Sequence, residues 1–244
     1  MRFKFLLLTL LLCHCNQDSE PKVDQIIEKS ILSHGVNQFK NIHLTFDFRD
    51  YSYSLKKDKT KTVYSRSTQR ENTIIKDVLI NSKVLKRTIN TVPEILSDSL
   101  KKMYSESLNS VMYFFQLPHV LNDNAVIKKY LGSTSIKGEP YHCVKITFSE
   151  DDGGIDFQDQ FHYWIHQSKF TIDYFAYNYQ SSGGGTRFRE AINRRMINGI
   201  LFQDYNNFKP KQRFITLDSL PHLFENGQLL KVSIIENKNI TIHQ

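Results

Sequence analysis

Most of this chain reads as antiparallel β-structure with a few helices, an α+β arrangement in which a curved sheet packs on helices. Three observations predict it. Apolar and polar residues alternate at period two in run after run, as in Ile42, Leu44, Phe46 and Phe48 against His43, Thr45, Asp47 and Arg49. Turn signals separate these runs, the strongest being Asn198-Gly199, because both central residues of a type I′ hairpin turn need positive φ. The strand-helix-strand alternation that a parallel sheet requires is missing from the pattern, which argues against a TIM barrel and a doubly wound nucleotide-binding fold.

With 244 residues, 40% hydrophobic and 23% charged, the chain can fill one ordinary globular core. It opens with basic Arg2 and Lys4, an apolar run over residues 5–12 that is too short to span a bilayer, and then Cys13-His14-Cys15. A short apolar run ending on Cys, followed at once by Asn16-Gln17-Asp18-Ser19-Glu20, resembles the bacterial lipoprotein signal, in which that Cys becomes the lipidated first residue. Cys15, with Leu12 three residues before it, is the expected lipidation site and Cys13 the fallback; a plain secretory peptide is the alternative. The resulting division is a signal over residues 1–15, a tether over 16–20 and one sheet-plus-helix domain over 21–244.

The resemblance implies a membrane partner reached through an N-terminal lipid anchor, in a bacterial cell envelope and at its outer membrane. Asp18 and Glu20 resemble the surface-export signals of some such lipoproteins. With lipidation at Cys15, Cys143 is the one thiol left in the body, so a disulfide framework is excluded. Loss of Arg2 and Lys4 lowers the formal charge from +7 to +5, and the remaining Lys and Arg are dispersed, so no nucleic-acid partner is expected.

In chain order, residues 21–34 carry Val23, Ile26, Ile27 and Ile31 at helical spacing, with Gly35 as a C-terminal cap. Residues 41–53 form a strand whose phase slips at Asp50, which predicts a bulge or bend. Strands follow over residues 62–67, 73–80 and 84–90, a meander of hairpins. Pro93 opens a helical pattern of Leu96, Leu100, Tyr104, Leu108, Val111 and Phe115 that Pro118 stops and that polar residues 105–109 are expected to divide in two. Further strands are expected at 126–131, 141–148, 161–166, 170–180, 186–197, 200–208 and 229–236. A short helical turn falls at 218–224, and a polar tail ends the chain.

The runs YHCVKITF, FHYWIH, IDYFAYNY, GGGTRFREAINRR and NGILFQDYNNF, with SLNSVMYFFQLPHVLNDNAVIKKYLG before them, resemble an uncharacterised family of flavobacterial-type envelope lipoproteins, a domain of unknown function. More distantly the layout is similar to the LolA and LolB type lipoprotein carriers. That likeness implies an incomplete β-barrel with helices on its concave side and an apolar or amphipathic ligand, such as a lipid, between sheet and helices.

On this reading Tyr163, Trp164, Tyr174 and Tyr177 are the candidate ligand-lining residues, since aromatic rings with polar tips suit amphipathic ligands. Gly184 and Gly185, with Arg187 and Arg189 on one strand face, are the candidate anion contacts through backbone N–H groups and guanidinium forks. Pairing of those arginines with Glu190, Asp173 or Asp204 is the alternative.

No metal or cofactor is expected. His162 and His166 lie four residues apart on one strand face, about 13 Å at the strand rise. The acidic residues Glu150, Asp151, Asp152, Asp156 and Asp159 do not follow the order of a calcium loop. No catalytic motif is present, and Cys143 and His142 point to opposite faces of their strand. The expected function is a membrane-anchored envelope lipoprotein handling an apolar or amphipathic ligand. The alternatives are an envelope scaffold without ligand, and a hydrolase or lyase whose site gathers Arg187, Arg189, His162 and acidic neighbours.

Overall fold

Apolar spacing sets the first helix, α1 (Val23–Ser33), whose buried Ile26, Ile27 and Ile31 face the core. Its end is defined by Gly35, at φ +67, where a Cβ would meet the carbonyl oxygen of Gly199 at 1.9 Å. That close approach lets Leu201 N–H donate to the carbonyl of His34 at 2.9 Å, so the helix terminus docks on a later hairpin. The computed structural model describes residues 22–35, 39–149, 159–180 and 183–243. The expected signal and tether, with Cys13 and Cys15, and most of the acidic loop after Ser149 lie outside the described residues.

The period-two runs become two seven-stranded antiparallel sheets rather than one curved sheet. The first contains β1 (Ile42–Phe48), β2 (Tyr51–Lys57), β3 (Thr62–Arg70), β4 (Thr73–Ile80), β5 (Val84–Ile89), β6 (Val92–Pro93) and, beside β1, β14 (Lys238–His243). The second runs in the order β13-β12-β11-β10-β9-β8-β7, from β7 (Val126–Ile136) through β8 (Glu139–Phe148), β9 (Gln160–His166), β10 (Ile172–Tyr179), β11 (Gly185–Ile197) and β12 (Ile200–Lys209) to β13 (Leu230–Ile235). The chain crosses between them at Glu236-Asn237, where Asn237 N–H donates to Asp204 at 3.0 Å and Arg195 donates to both Asp204 and the carbonyl of Asn237.

Four local expectations are corrected. The phase slip at Asp50 is a two-residue hairpin, with Arg49 at φ +53 and Phe48 paired to Tyr51; cross-strand partners share a face, so the parity changes without a bulge. Pro93 ends the short edge strand β6, and the helix α2 (Asp98–Phe115) starts later, at the N-cap Ser97, whose Oγ accepts from Leu100 N–H. The polar residues 105–109 do not break α2, because Ser107 Oγ is taken up by Arg66 Nη1 at 2.8 Å. The expected polar tail is strand β14, held to β1 through pairs such as Leu44 with Ile242.

One core fills the space between the inner faces of the two sheets, where α1 and the C-terminal half of α2 contribute Ile26, Ile27, Leu108, Met112 and Phe115. Phe115 stacks on Phe46 of β1 with ring centroids 3.7 Å apart. The N-terminal half of α2 stays outside it, with Leu100 and Met103 exposed, so the helix is only half a filler. A second core, including Cys143, Trp164, Tyr174 and Phe188, lies on the outer face of the second sheet. It is covered by a 3-10 turn at Leu217–Ser219 and a short helix, α3 (Leu220–Glu225).

A buried ionic network fastens α2 to the first sheet. Asp77, 1% exposed, accepts from Arg66 Nε at 2.8 Å and from Arg87 Nε at 2.7 Å. Arg66 goes on to Ser107, and Arg87 lies over the ring of Tyr104 at 3.4 Å from its centroid. Removing the shared carboxylate strands two guanidinium groups, so Asp77→Ala is expected to cost roughly 3–5 kcal/mol in chemical denaturation.

A second prediction concerns acid. Burial, assisted by Arg194, pushes His34 down to about 4, and its Nε2 accepts from Ile172 N–H. Between the ordinary 6.5 and about 4 the unfolded chain binds a proton that the folded chain refuses. Stability from this group is therefore intact above that window and falls as pH drops through it, by roughly 3 kcal/mol in total. Denaturation midpoints measured at pH 7 and 4.5 are expected to differ less in His34→Gln than in the parent chain.

Candidate functional site

Strand alternation places one cross-strand row on the inner face of the second sheet: Tyr163, Phe175, Arg189, Asn207 and Ser233, each opposite the next. The second half of α2 lies over that row. Between them is a cleft of about 290 Å³ bordered by Val111, Phe114, Tyr177, Arg189, Tyr205 and Asn207, with Phe48 and Arg49 of the first hairpin at another wall.

Arg189 dominates the chemistry of this cleft. It is 8% exposed, its Nη2 donates to Tyr177 Oη at 2.7 Å, and its guanidinium lies 4.3 Å from the ring centroid of Phe114. Among the described residues its Nε has no hydrogen-bond partner. Among the described residues the nearby carboxylates are spent elsewhere: Glu190 on Lys137, Asp173 on Arg194 and Asp204 on Arg195. The aromatic faces offset part of the cost of burying this cation, but the group retains an unanswered donor and charge. Across the register, the buried Asn207 Oδ1 likewise has no partner among the described residues, while its Nδ2 donates to Ser233 Oγ at 3.1 Å. The neighbouring phenols stay neutral: burial raises Tyr163 strongly and pushes Tyr205 up to about 12.

The structure separates the residues that sequence grouped. Tyr177 borders the cleft, and Tyr163 lies beneath it, fully buried, sharing a hydrogen bond with Tyr113 Oη at 3.0 Å. Trp164 and Tyr174 are on the opposite face of the sheet, in the second core, so they do not line a common pocket with Tyr163 and Tyr177. Arg187 is also drawn off, donating to the carbonyl of Thr186 and lying over Tyr179. Gly184 and Gly185 pack against Phe214, Tyr179 and Arg213 rather than cradling an anion beside Arg189. A hydrolase or lyase site combining Arg189 with His162 is not assembled, since His162 lies on the outer face with Asp218.

That outer face holds a constellation the sequence did not announce. Cys143 on β8, His162 on β9 and Asp218 in the 3-10 turn bring one ligand atom each to within 4.8 Å of one another. Only the register, with Cys143 opposite Trp164 and Lys145 opposite His162, makes the first two diagonal neighbours. Burial pushes the Cys143 thiol up to about 12, so it is not an activated nucleophile.

A family profile described as a family of unknown function, DUF6503, matches residues 1–237. The chain belongs to that family. No curated protein matches it. Among solved structures, a LolA superfamily protein from Nitrosomonas europaea is similar over 92% of this chain and 94% of its own, at 14% identity and a TM-score of 0.48. A putative outer membrane lipoprotein-sorting protein domain from Vibrio parahaemolyticus is similar over 91% and 94%, at 6% identity and a TM-score of 0.38. The Mycobacterium tuberculosis lipoprotein LppX is similar over 66% and 91%, at 7% identity and a TM-score of 0.27.

The glycine run has a structural role that can be tested apart from the cleft. A Cβ on Gly184, at φ +70, would meet Phe214 Cζ at 2.7 Å and the carbonyl oxygen of Tyr179 at 2.9 Å. Gly184→Ala is expected to lower stability by roughly 1–3 kcal/mol in thermal or chemical denaturation.

Proposed function

We propose that this chain is a lipid-anchored envelope protein that holds an amphipathic ligand with an anionic head between α2 and the second sheet. The observation that carries the reading is Arg189: among the described residues, a buried cation with no partner for its Nε donor and no carboxylate partner, with aromatic walls around it. A carboxylate or phosphate oxygen would accept from Nε and balance the charge, a hydrogen bond stronger than a neutral one. The amide of Asn207, turned over, would accept from Ser233 and present its NH2 to the same head group.

The apolar part of the ligand would lie along Val111, Phe114 and Ile235, and Arg49 at the wall adds a second positive charge for an approaching anion. A cleft of about 290 Å³ is at the low end for ligand pockets, so a long acyl chain needs more room. The sheet serves as the fixed wall and the C-terminal half of α2, from Ser107 to Phe115, as the element whose displacement opens the interior. Anchoring through Cys15, or Cys13, would keep this cleft close to the membrane that supplies the ligand.

The test compares the native and denatured masses of the chain purified from a bacterial host, followed by titration with a long-chain fatty acid and a lysophospholipid. An excess mass that disappears on denaturation, or saturable uptake of either probe, is the expected result. Arg189→Met keeps the side-chain bulk while removing the charge. It is expected to weaken anionic-probe binding about ten- to a hundredfold, with stability equal to or above that of the parent. No excess mass and no uptake would favour an envelope scaffold without ligand.

A further inference from the structure

On the outer face of the second sheet, Cys143, His162 and Asp218 offer sulfur, imidazole nitrogen and carboxylate oxygen within 4.8 Å of one another. We propose that these three residues form a binding site for a borderline-soft divalent cation, zinc by preference, with its fourth coordination position open to solvent. The donor set is the first argument. Thiolate, imidazole and carboxylate together suit Zn²⁺, whereas calcium and magnesium take all-oxygen shells.

The state of His162 is the second. The residue is 6% exposed, and its Nδ1 lies 3.1 Å from Asp218 Oδ1 without a well-formed hydrogen bond to any of the described residues. Buried polar atoms are rarely left so, and a cation between the two groups would satisfy both. Preorganisation is the third argument. Two ligands come from paired strands, and Asp218 comes from a turn pinned by the buried Leu217 and Leu220. The 3.1 Å between His162 Nδ1 and Asp218 Oδ1 already suits two ligands of one tetrahedral ion, and the largely exposed carboxylate of Asp218 is free to adjust.

Charge closes the case for an open site. Zn²⁺ with a thiolate, a carboxylate and a neutral imidazole is formally uncharged, so it can be buried without a counter-ion and without repelling Lys145 nearby. A cleft of about 580 Å³ lined by His162, Asp218, Lys129, Lys145, Gln160 and Asn178 lies beside the ligands. Three protein ligands with a solvent-facing fourth position is the pattern of exchangeable rather than purely structural zinc. The two lysines would draw an anionic ligand to that position. This site lies on the opposite face of the sheet from Arg189 and does not depend on the proposed cleft function.

Cobalt substitution tests it, because a thiolate bound to Co²⁺ gives a charge-transfer absorption. Titration of the full chain with Co²⁺ is expected to give that band, with zinc displacing cobalt. Asp218→Ala, an exposed change that leaves the second core intact, is expected to weaken binding roughly tenfold or more. Cys143→Ser is expected to abolish the part of the band that Asp218→Ala perturbs, also in unprocessed chain that still carries the thiols of Cys13 and Cys15. Absence of a band, or a band and affinity unchanged in Asp218→Ala, would overturn the assignment, the latter placing the metal at the N-terminal cysteines. If Cys143→Ser does not fold, the Asp218→Ala comparison decides alone.

Discussion

The cleft beneath α2 exists because one carboxylate is shared by two arginines. Asp77 is buried under the helix with Arg66 and Arg87 on either side, and through Ser107 and Tyr104 those cations hold the helix at a set height above the first sheet. A purely apolar contact would let an 18-residue helix slide along the sheet at little cost; directional bonds do not. With α2 anchored at its middle, its last two turns reach across to the second sheet and place Phe114 over Arg189. The ion network thus sets the roof of a site whose floor belongs to a different sheet.

The second sheet carries chemistry on both faces because its two faces are covered by different parts of the chain. Inward-pointing residues meet α2 and the first sheet; outward-pointing residues meet the segment around Leu217 and α3. Arg189 and Phe188 are chain neighbours, yet one lies in the cleft and the other in the second core. The period of two that makes a strand therefore also divides the aromatic residues of β9 and β10 between two environments, and it isolates the arginine from His162.

Much of the architecture was legible locally. The alternation of β1, β4, β8, β9 and β12, the Asn198-Gly199 turn and the helical spacing of α1 are short-range properties, and each appears where the residues place it. The errors share a cause as well. The turn at Arg49-Asp50 needed a non-glycine residue at positive φ, for which composition offers little signal. Strand β14 has modest apolar character, and its pairing with β1, almost 200 residues earlier, is what makes it a strand. Polar residues 105–109 look like a break only until Arg66 arrives from the first sheet.

The sequence by itself determined that this chain is mainly antiparallel β-structure with few helices, and that Cys143 is the one cysteine among the described residues. Those are consequences of periodicity and residue type. Tertiary structure decided which arginine keeps an unanswered charge, because that depends on where Asp173, Asp204 and Glu190 spend theirs. It also brought Cys143, His162 and Asp218 together, residues on two strands and a distant turn whose meeting is set by register and by the packing of Leu217 and Leu220. Local pattern specifies a face; only the closed chain specifies what faces it.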